Sequence, residues 1–226
     1  MRILPSIAYE PVKRVFDLVV AGTALVVLSL PLAVTAVLIV WLIPGGGPFF
    51  LQERPGRYLL PFRVVKFRTM IPEVAVGGAV LPDHERTPRF GFLLRRLGVD
   101  ELPQLINVVR GEMSLVGPRP LLMRYVGRYP ERYACRHDVL PGITGWAQVH
   151  GRRLLTFSQR FEHDVWYVNH RSFALDMRIL WMTVLLLLQR PSFAPIDQSV
   201  TEVDDLGLFE QKATDPRLEV KEDARA

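Results

Sequence analysis

Between Leu18 and Ile43 the chain runs for 26 residues, LVVAGTALVVLSLPLAVTAVLIVWLI, without one charged side chain. As a continuous helix this stretch is about 39 Å long, more than the ~30 Å core of a bilayer. Soluble core helices are rarely apolar on every face over such a length, so the run predicts membrane embedding. A secretory signal is the competing reading, because Lys13 and Arg14 precede the run. The stretch is too long for that, and no small-residue cleavage site follows Ile43 cleanly. Pro31 stands mid-run and removes a backbone donor, which favours a kink. Ser29, two residues earlier, is placed to satisfy a freed carbonyl. Basic residues flank both ends: Lys13 and Arg14 before, then Arg54, Arg57, Arg63, Lys66 and Arg68 after. The positive-inside rule sets one basic flank against a poor one. Two basic flanks favour a helix that enters and turns back at Pro31, ahead of a straight span with an ordinary proline kink.

The remaining chain has room for one sizeable domain. Of 226 residues 49% are hydrophobic, with a mean hydropathy of +0.17, too apolar for a disordered chain. A lone cysteine, Cys135, excludes an internal disulfide framework and a multi-thiolate zinc site, and reads as a structural thiol. Net charge is +5, but unevenly spread. Residues 201–226 carry eight acids against four bases, while the first 200 hold 24 bases against 15 acids. Arginine supplies 24 of the 28 basic residues, and its planar fork grips phosphate in a bidentate way. The body of the protein faces something anionic.

Pro44-Gly45-Gly46-Gly47-Pro48 ends the membrane segment. No Gly-Lys-Ser/Thr follows, so it is not a phosphate loop. Phe49–Arg54 and Phe62–Phe67 read as a hairpin carrying Arg54 and Lys66 on its two arms. Residues 71–91 read as an irregular, mobile surface loop. Over 101–110 the apolar positions Leu102, Leu105, Ile106 and Val109 predict a helix, with Asp100 at its N-cap and Gly111 closing it. The ten-residue block Ile179–Leu188 is too short to span and suits an interfacial or core helix. Arg178 and Arg190 bracket it, and Trp166, Tyr167 and Trp181 favour a membrane boundary. The predicted organisation is an interfacial segment 1–13, a re-entrant helix 14–43, a cytosolic domain 44–190 and a poorly ordered acidic tail 191–226.

On residue type alone, Asp100-Glu101 is a helix cap with a dipole-friendly neighbour. Two features weigh against it. The pair sits among Arg95, Arg96, Arg110 and Arg119, and Pro118-Arg119-Pro120 rigidifies the backbone around an arginine. Paired carboxylates amid arginines suit a Mg²⁺-dependent reaction on phosphate, with Asp100 and Glu101 holding the metal and arginines taking phosphoryl oxygens. The five histidines show no metal spacing, and neither G-x-S-x-G nor H-E-x-x-H occurs.

The stretch LLRRLGVDELPQLINVVRGEMSLVGPRP closely resembles the bacterial sugar transferases, the monotopic phosphoglycosyl transferases. VKRVFDLVVAG, QERPGR, VVKFRTM, PGITGWAQVHGR and FEHDVWYV extend the resemblance, in order, over about residues 12–190. It implies a mixed, mainly helical α/β protein: a re-entrant membrane helix broken at proline and a small cytosolic catalytic domain on interfacial helices. It also implies transfer of a sugar-1-phosphate from a UDP-sugar to a polyprenol phosphate such as undecaprenyl phosphate, with release of UMP. This would be the first membrane step of glycoconjugate synthesis, at the cytoplasmic face of the bacterial inner membrane. By motif, Asp100 is the implied nucleophile and Glu101 its partner. Arg54, Lys66, Arg95 and Arg119 match phosphate-site residues, and Asp164 and Asp176 match further carboxylates assigned to the substrate site. Departures exist: Leu30 separates Ser29 from Pro31, His150 stands where asparagine is usual, and Leu140 where arginine is common.

Other classes fit less well. A membrane-anchored basic scaffold binding anionic lipid predicts dispersed, interchangeable bases, and sits poorly with paired acids and a rigid Pro-Arg-Pro. No nucleic-acid reader motif is present, so no nucleic-acid partner is expected. A lipid-linked alcohol phosphatidyltransferase would show a spaced aspartate cluster on membrane helices. The expected partners are a UDP-sugar, a polyprenol phosphate and the bilayer. Self-association into a homo-oligomer is compatible with the chain, and no sequence code names the sugar.

Overall fold

The computed structural model describes residues 9–72, 75–76, 79–80, 82–151, 155–188, 205–206 and 208. Two helices open it, α1 (Tyr9–Val27) and α2 (Ser29–Leu42), joined at Leu28 with a bend of 62°. The expectation placed the break at Pro31, whereas the bend lies one turn earlier. Proline removes the bond to the carbonyl four residues before it, here that of Val27. The neighbouring bonds, Leu28 N to Ala24 O and Leu32 N to Leu28 O, persist on either side. Pro31 itself sits in the first turn of α2, where its missing donor is no loss. Ser29 is exposed and, among the described residues, bonds no freed carbonyl; Thr35 Oγ1 instead donates to Pro31 O at 2.8 Å.

Among the described residues no single helix is long and apolar enough to cross a membrane, but the bent pair meets that test together. The α2 limb, 14 residues, is about 21 Å long, short of the ~30 Å core. Val26, Leu30 and Trp41 lie bare on the outer faces, Trp41 at 82% exposure. The first half of α1 behaves differently. Tyr9, Asp17 and Ala21 are buried against the body, so the boundary expected at residue 14 falls inside one continuous helix. Asp17 accepts from Ser114 Oγ at 2.7 Å, and Arg14 donates to Val108 O at 2.7 Å and Val109 O at 3.1 Å. Helix α1 is thus bolted to the body by polar bonds at its inner end.

The hairpin forms as expected. β1 (Phe49–Pro55) pairs antiparallel with β2 (Pro61–Phe67), Phe49 opposite Phe67 and Arg54 opposite Phe62. The segment expected to be irregular includes the short antiparallel pair β3 (Ala75–Val76) and β4 (Ala79–Val80). It also holds the start of α3 (Arg89–Leu97), which ends on Gly98 at φ +71°.

A 3-10 turn, Val99–Glu101, comes next, and only then α4 (Gln104–Arg110), closed by Gly111 at φ +84°. This corrects the predicted helix. Asp100 lies inside the turn and caps nothing, and Pro103 holds the N-cap position. The buried face is Gln104, Leu105, Asn107 and Val108, while Val109 is 40% exposed. The short turn starts the helical phase later than a helix from residue 101 would.

Two three-residue strands, β5 (Ser114–Val116) and β6 (Gly142–Thr144), pair in parallel. Helices α5 (Trp146–His150), α6 (Phe157–His170) and α7 (Phe173–Leu188) follow. The ten-residue apolar block is the C-terminal part of α7, 16 residues long. The core gathers Ala21 of α1, Val64 of β2, Val108 of α4, Val116 of β5 and Ile179 of α7. The architecture is mixed and mainly helical, as expected. Most of the predicted acidic tail lies outside the described residues; Asp205, Leu206 and Leu208 are within them.

Candidate active site

The turn between α3 and α4 sets Asp100 and Glu101 beside the inner face of β2. Buried Asn107 fixes that approach. Its Oδ1 accepts from Val65 N at 2.9 Å, and its Nδ2 donates to Arg63 O at 2.8 Å and Glu112 Oε2 at 2.7 Å. With α4 sewn to β2, Lys66 Nζ reaches Glu101 Oε1 at 2.9 Å. From the loop after β5, Arg119 meets the same carboxylate with both arms, Nη2 to Oε1 at 2.5 Å and Nη1 to Oε2 at 3.2 Å. Burial works to raise the Glu101 carboxyl, but Arg119 and then Lys66 outweigh it and hold it well below the usual range. Burial and the neighbouring Arg119 push the Lys66 ammonium down, against Glu101.

Asp100 is different. Among the described residues its carboxylate accepts no hydrogen bond and forms no ion pair. Burial and the Glu101 charge push it above the usual value, against the pull of Lys66, Arg95 and Arg119. One carboxylate is therefore locked by cations, and its neighbour is left with its lone pairs available. Arg95 is steadied by Nε donating to Thr69 Oγ1 at 2.8 Å. Gly91 lets α3 come this close: a Cβ there would stand 2.0 Å from Thr69 O. Arg54 reaches the Arg119 loop, with Nη1 on Pro120 O at 3.3 Å and Nη2 on Gln52 Oε1 at 2.5 Å.

Two predicted substrate ligands are placed elsewhere. Asp164, 2% exposed, accepts from Arg136 Nη2 at 2.8 Å and Nε at 3.2 Å. Asp176, 1% exposed, accepts from Lys13 Nζ at 2.6 Å, Tyr9 Oη at 2.9 Å and Tyr167 Oη at 2.7 Å. Both are internal acceptors that tie elements together, not groups presented to a phosphate. Asp176 joins α1, α6 and α7. Asp164 acts through Arg136, whose Nη2 also donates to Arg119 O at 2.8 Å. Arg136 escaped the sequence reading, since its partners are remote in sequence; so did Asn107, hidden in an apolar helix.

Among the described residues no group of three His, Cys, Asp or Glu side chains is arranged to hold a metal. Glu101, already bonded by Lys66 and Arg119, does not fit the ligand role expected of it. Asp100, with its lone pairs available, is the carboxylate of the pair whose chemistry suits a hard divalent cation.

The family model for bacterial sugar transferases matches residues 8–190. The chain is 50% identical over 172 residues to an uncharacterised sugar transferase of Bacillus subtilis, covering 76% of this chain and 85% of that one. It is 41% identical over 199 residues to a Caulobacter vibrioides UDP-glucose:undecaprenyl-phosphate glucose-1-phosphate transferase, covering 82% and 73%. It is 39% identical over 194 residues to an Aeromonas hydrophila UDP-N-acetylgalactosamine-undecaprenyl-phosphate N-acetylgalactosaminephosphotransferase. That match covers 82% of this chain but 46% of the longer relative. The chain belongs to the bacterial sugar transferase family and is a transferase.

Proposed function

We propose that the protein transfers a sugar-1-phosphate from a UDP-sugar to undecaprenyl phosphate, releasing UMP, through a phosphosugar-aspartyl intermediate on Asp100. The observation that carries this reading is the division of labour in the dyad: Glu101 is held by Arg119 and Lys66, while Asp100 accepts no hydrogen bond among the described residues. A diphosphate repels an approaching carboxylate, so cations must first offset its charge. Arg95, Lys66 and Arg119 supply part of that field. A divalent cation bound at Asp100 would add Lewis-acid neutralisation of the diphosphate.

In the first half-reaction an Asp100 carboxylate oxygen attacks the sugar-bearing phosphorus. The bond from that phosphorus to the bridging oxygen breaks, and UMP leaves with the electron pair. In the second, an oxygen of the lipid phosphate attacks the same phosphorus, the aspartyl O–P bond breaks and the carboxylate is regenerated. Neither half needs a redox partner. Glu101 keeps Lys66 and Arg119 aimed at the site throughout.

One substrate is soluble and the other is lipid, and the bent α1–α2 pair supports a re-entrant seat in the cytoplasmic face of the inner membrane. Neither limb alone is long and apolar enough to cross, the outward faces are apolar, and the inner end of α1 is bolted to the catalytic body. The test is incubation of the detergent-solubilised protein with undecaprenyl phosphate and a panel of UDP-sugars. UMP release with one or more sugars supports the reading; none with any sugar, from folded protein, overturns it.

A further inference from the structure

The family match ends at residue 190, yet the chain returns to the body beyond it. Leu208 is 1% exposed, inserted among Leu121, Tyr125, Tyr133, Phe157 and Phe161. Leu206 packs against the same cluster. The contact is also polar. Asp205 Oδ1 accepts from Ser158 N at 3.1 Å, its Oδ2 accepts from Ser158 Oγ, and Arg128 Nη1 donates to Leu208 O at 3.4 Å. Ser158 lies in the first turn of α6, where backbone donors have no partner within the helix. Thr156 Oγ1 takes the Gln159 donor in a capping box, and Asp205 takes that of Ser158. The tail thus supplies a carboxylate to a positive helix end and a leucine to an aromatic pocket.

What the pocket supports gives the contact a purpose. Phe161, which lines it, carries the Arg136 guanidinium over its ring at 5.0 Å. Asp164, one turn further along α6, holds that guanidinium, and Arg136 holds Arg119 O. A continuous path runs from Leu208 through Phe161 and Arg136 to the arginine that grips Glu101.

We propose that Asp205, Leu206 and Leu208 form a cis-acting latch. Leu206 and Leu208 pack in the pocket formed by Tyr125, Tyr133, Phe157 and Phe161, Asp205 bonds the first turn of α6, and by steadying α6 and Arg136 these three residues position Arg119. The pocket's occupant is this chain's own acidic-leucine segment, and the residues named are positioning residues, not catalytic ones. The consequence for turnover rests on the proposed function; the latch itself rests on geometry alone.

The experiment is hydrogen exchange on the full-length protein in detergent, comparing wild type with Leu208→Asp and, as the milder change, Asp205→Asn. Leu208→Asp should speed exchange at the amides of 157–161 and of the 119–137 segment by about fivefold or more, the loss of roughly one cap. Asp205→Asn should do so at Ser158 alone, since asparagine keeps an acceptor but loses the charge. Amides of α4 should be unchanged in both, which separates release of the latch from unfolding. Exchange at 157–161 and 119–137 unaltered by Leu208→Asp would overturn the latch. Wild-type protection that disappears on dilution would also overturn it, because the occupant would then be the tail of a second copy. In UMP release, Leu208→Asp should raise KM for the UDP-sugar several-fold with a smaller change in kcat. An unchanged KM alongside altered exchange would overturn the positioning of Arg119; absence of any UMP release from wild type would instead bear on the proposed function.

Discussion

Arg119 grips Glu101 with both arms of its guanidinium, and the neighbouring Asp100 accepts no hydrogen bond among the described residues. Two adjacent carboxylates so differently held have different work: one fixes the cations, the other is available to react. A fork of this kind depends on planar geometry as much as on charge. Arg119→Lys should therefore reduce the rate of UMP release by about 10- to 100-fold with little change in thermal melting, since the charge survives and the paired contact does not. Wild-type turnover would make Arg119 a general cation.

The pH–rate profile follows from the same asymmetry. Burial and the Glu101 charge raise the Asp100 carboxyl, so the carboxylate proposed as nucleophile is lost as pH falls through a value above that of an ordinary aspartate. Glu101→Gln removes the second of those causes and should move the acid limb of UMP release to lower pH, whatever the loss of rate. Glu101, whose folded pKa is depressed, also contributes to stability with a definite sign. Its contribution is present above the ordinary value of 4.5 and is lost as pH falls below it. Acid titration of the melting temperature should show that loss in wild type and a smaller one in Glu101→Gln.

Arg136 and Asp164 form a pair with side chains 1% and 2% exposed. Removing one partner leaves an uncompensated buried charge, so Asp164→Ala should cost about 3–5 kcal/mol in denaturant unfolding. Replacing both, Arg136→Met with Asp164→Leu, should cost less than the two single changes summed. Additive costs would mean that the pair is not coupled.

The hairpin turn carries strain. Tyr58 and Leu59 sit at φ +56° and +62°, a conformation glycine adopts without penalty. Leu59 is 43% exposed, so little packing is lost on truncation. Leu59→Gly should hold or raise stability by up to about 1 kcal/mol, seen as an unchanged or higher melting temperature. A clear fall would show that the leucine is held by a contact of its own.

Much of this was legible from local pattern. The hairpin follows from two strand-like runs around a Pro-Gly turn, the bend from a proline in an apolar stretch, and the helix end at Gly111 from its glycine. The dyad and its cations were found as motifs. Roles that depend on distant pairing were not legible. The resemblance assigns Asp164 and Asp176 to the substrate site, and only burial against Arg136, 28 residues away, or Lys13, 163 residues away, makes them supports. The phase of α4 was misread because a 3-10 turn inserted before Pro103 cannot be told from a first helical turn by apolar spacing. The Leu208 contact lies within a segment whose acidic composition reads as solvated, and one buried leucine does not change that composition.

The central claim is that Asp100 is a covalent nucleophile, and Asp100→Asn tests it most directly. An amide cannot form the acyl phosphate, while the side-chain volume is kept and, among the described residues, no hydrogen bond of the Asp100 carboxylate is lost. The measurement is UMP release from UDP-sugar by folded Asp100→Asn protein, beside intact-mass analysis of wild type incubated with UDP-sugar alone. The account predicts no UMP release from the variant, an unchanged melting temperature, and a wild-type mass increase equal to the sugar phosphate that maps to the Asp100 peptide. Retention of most UMP release by folded Asp100→Asn would contradict it.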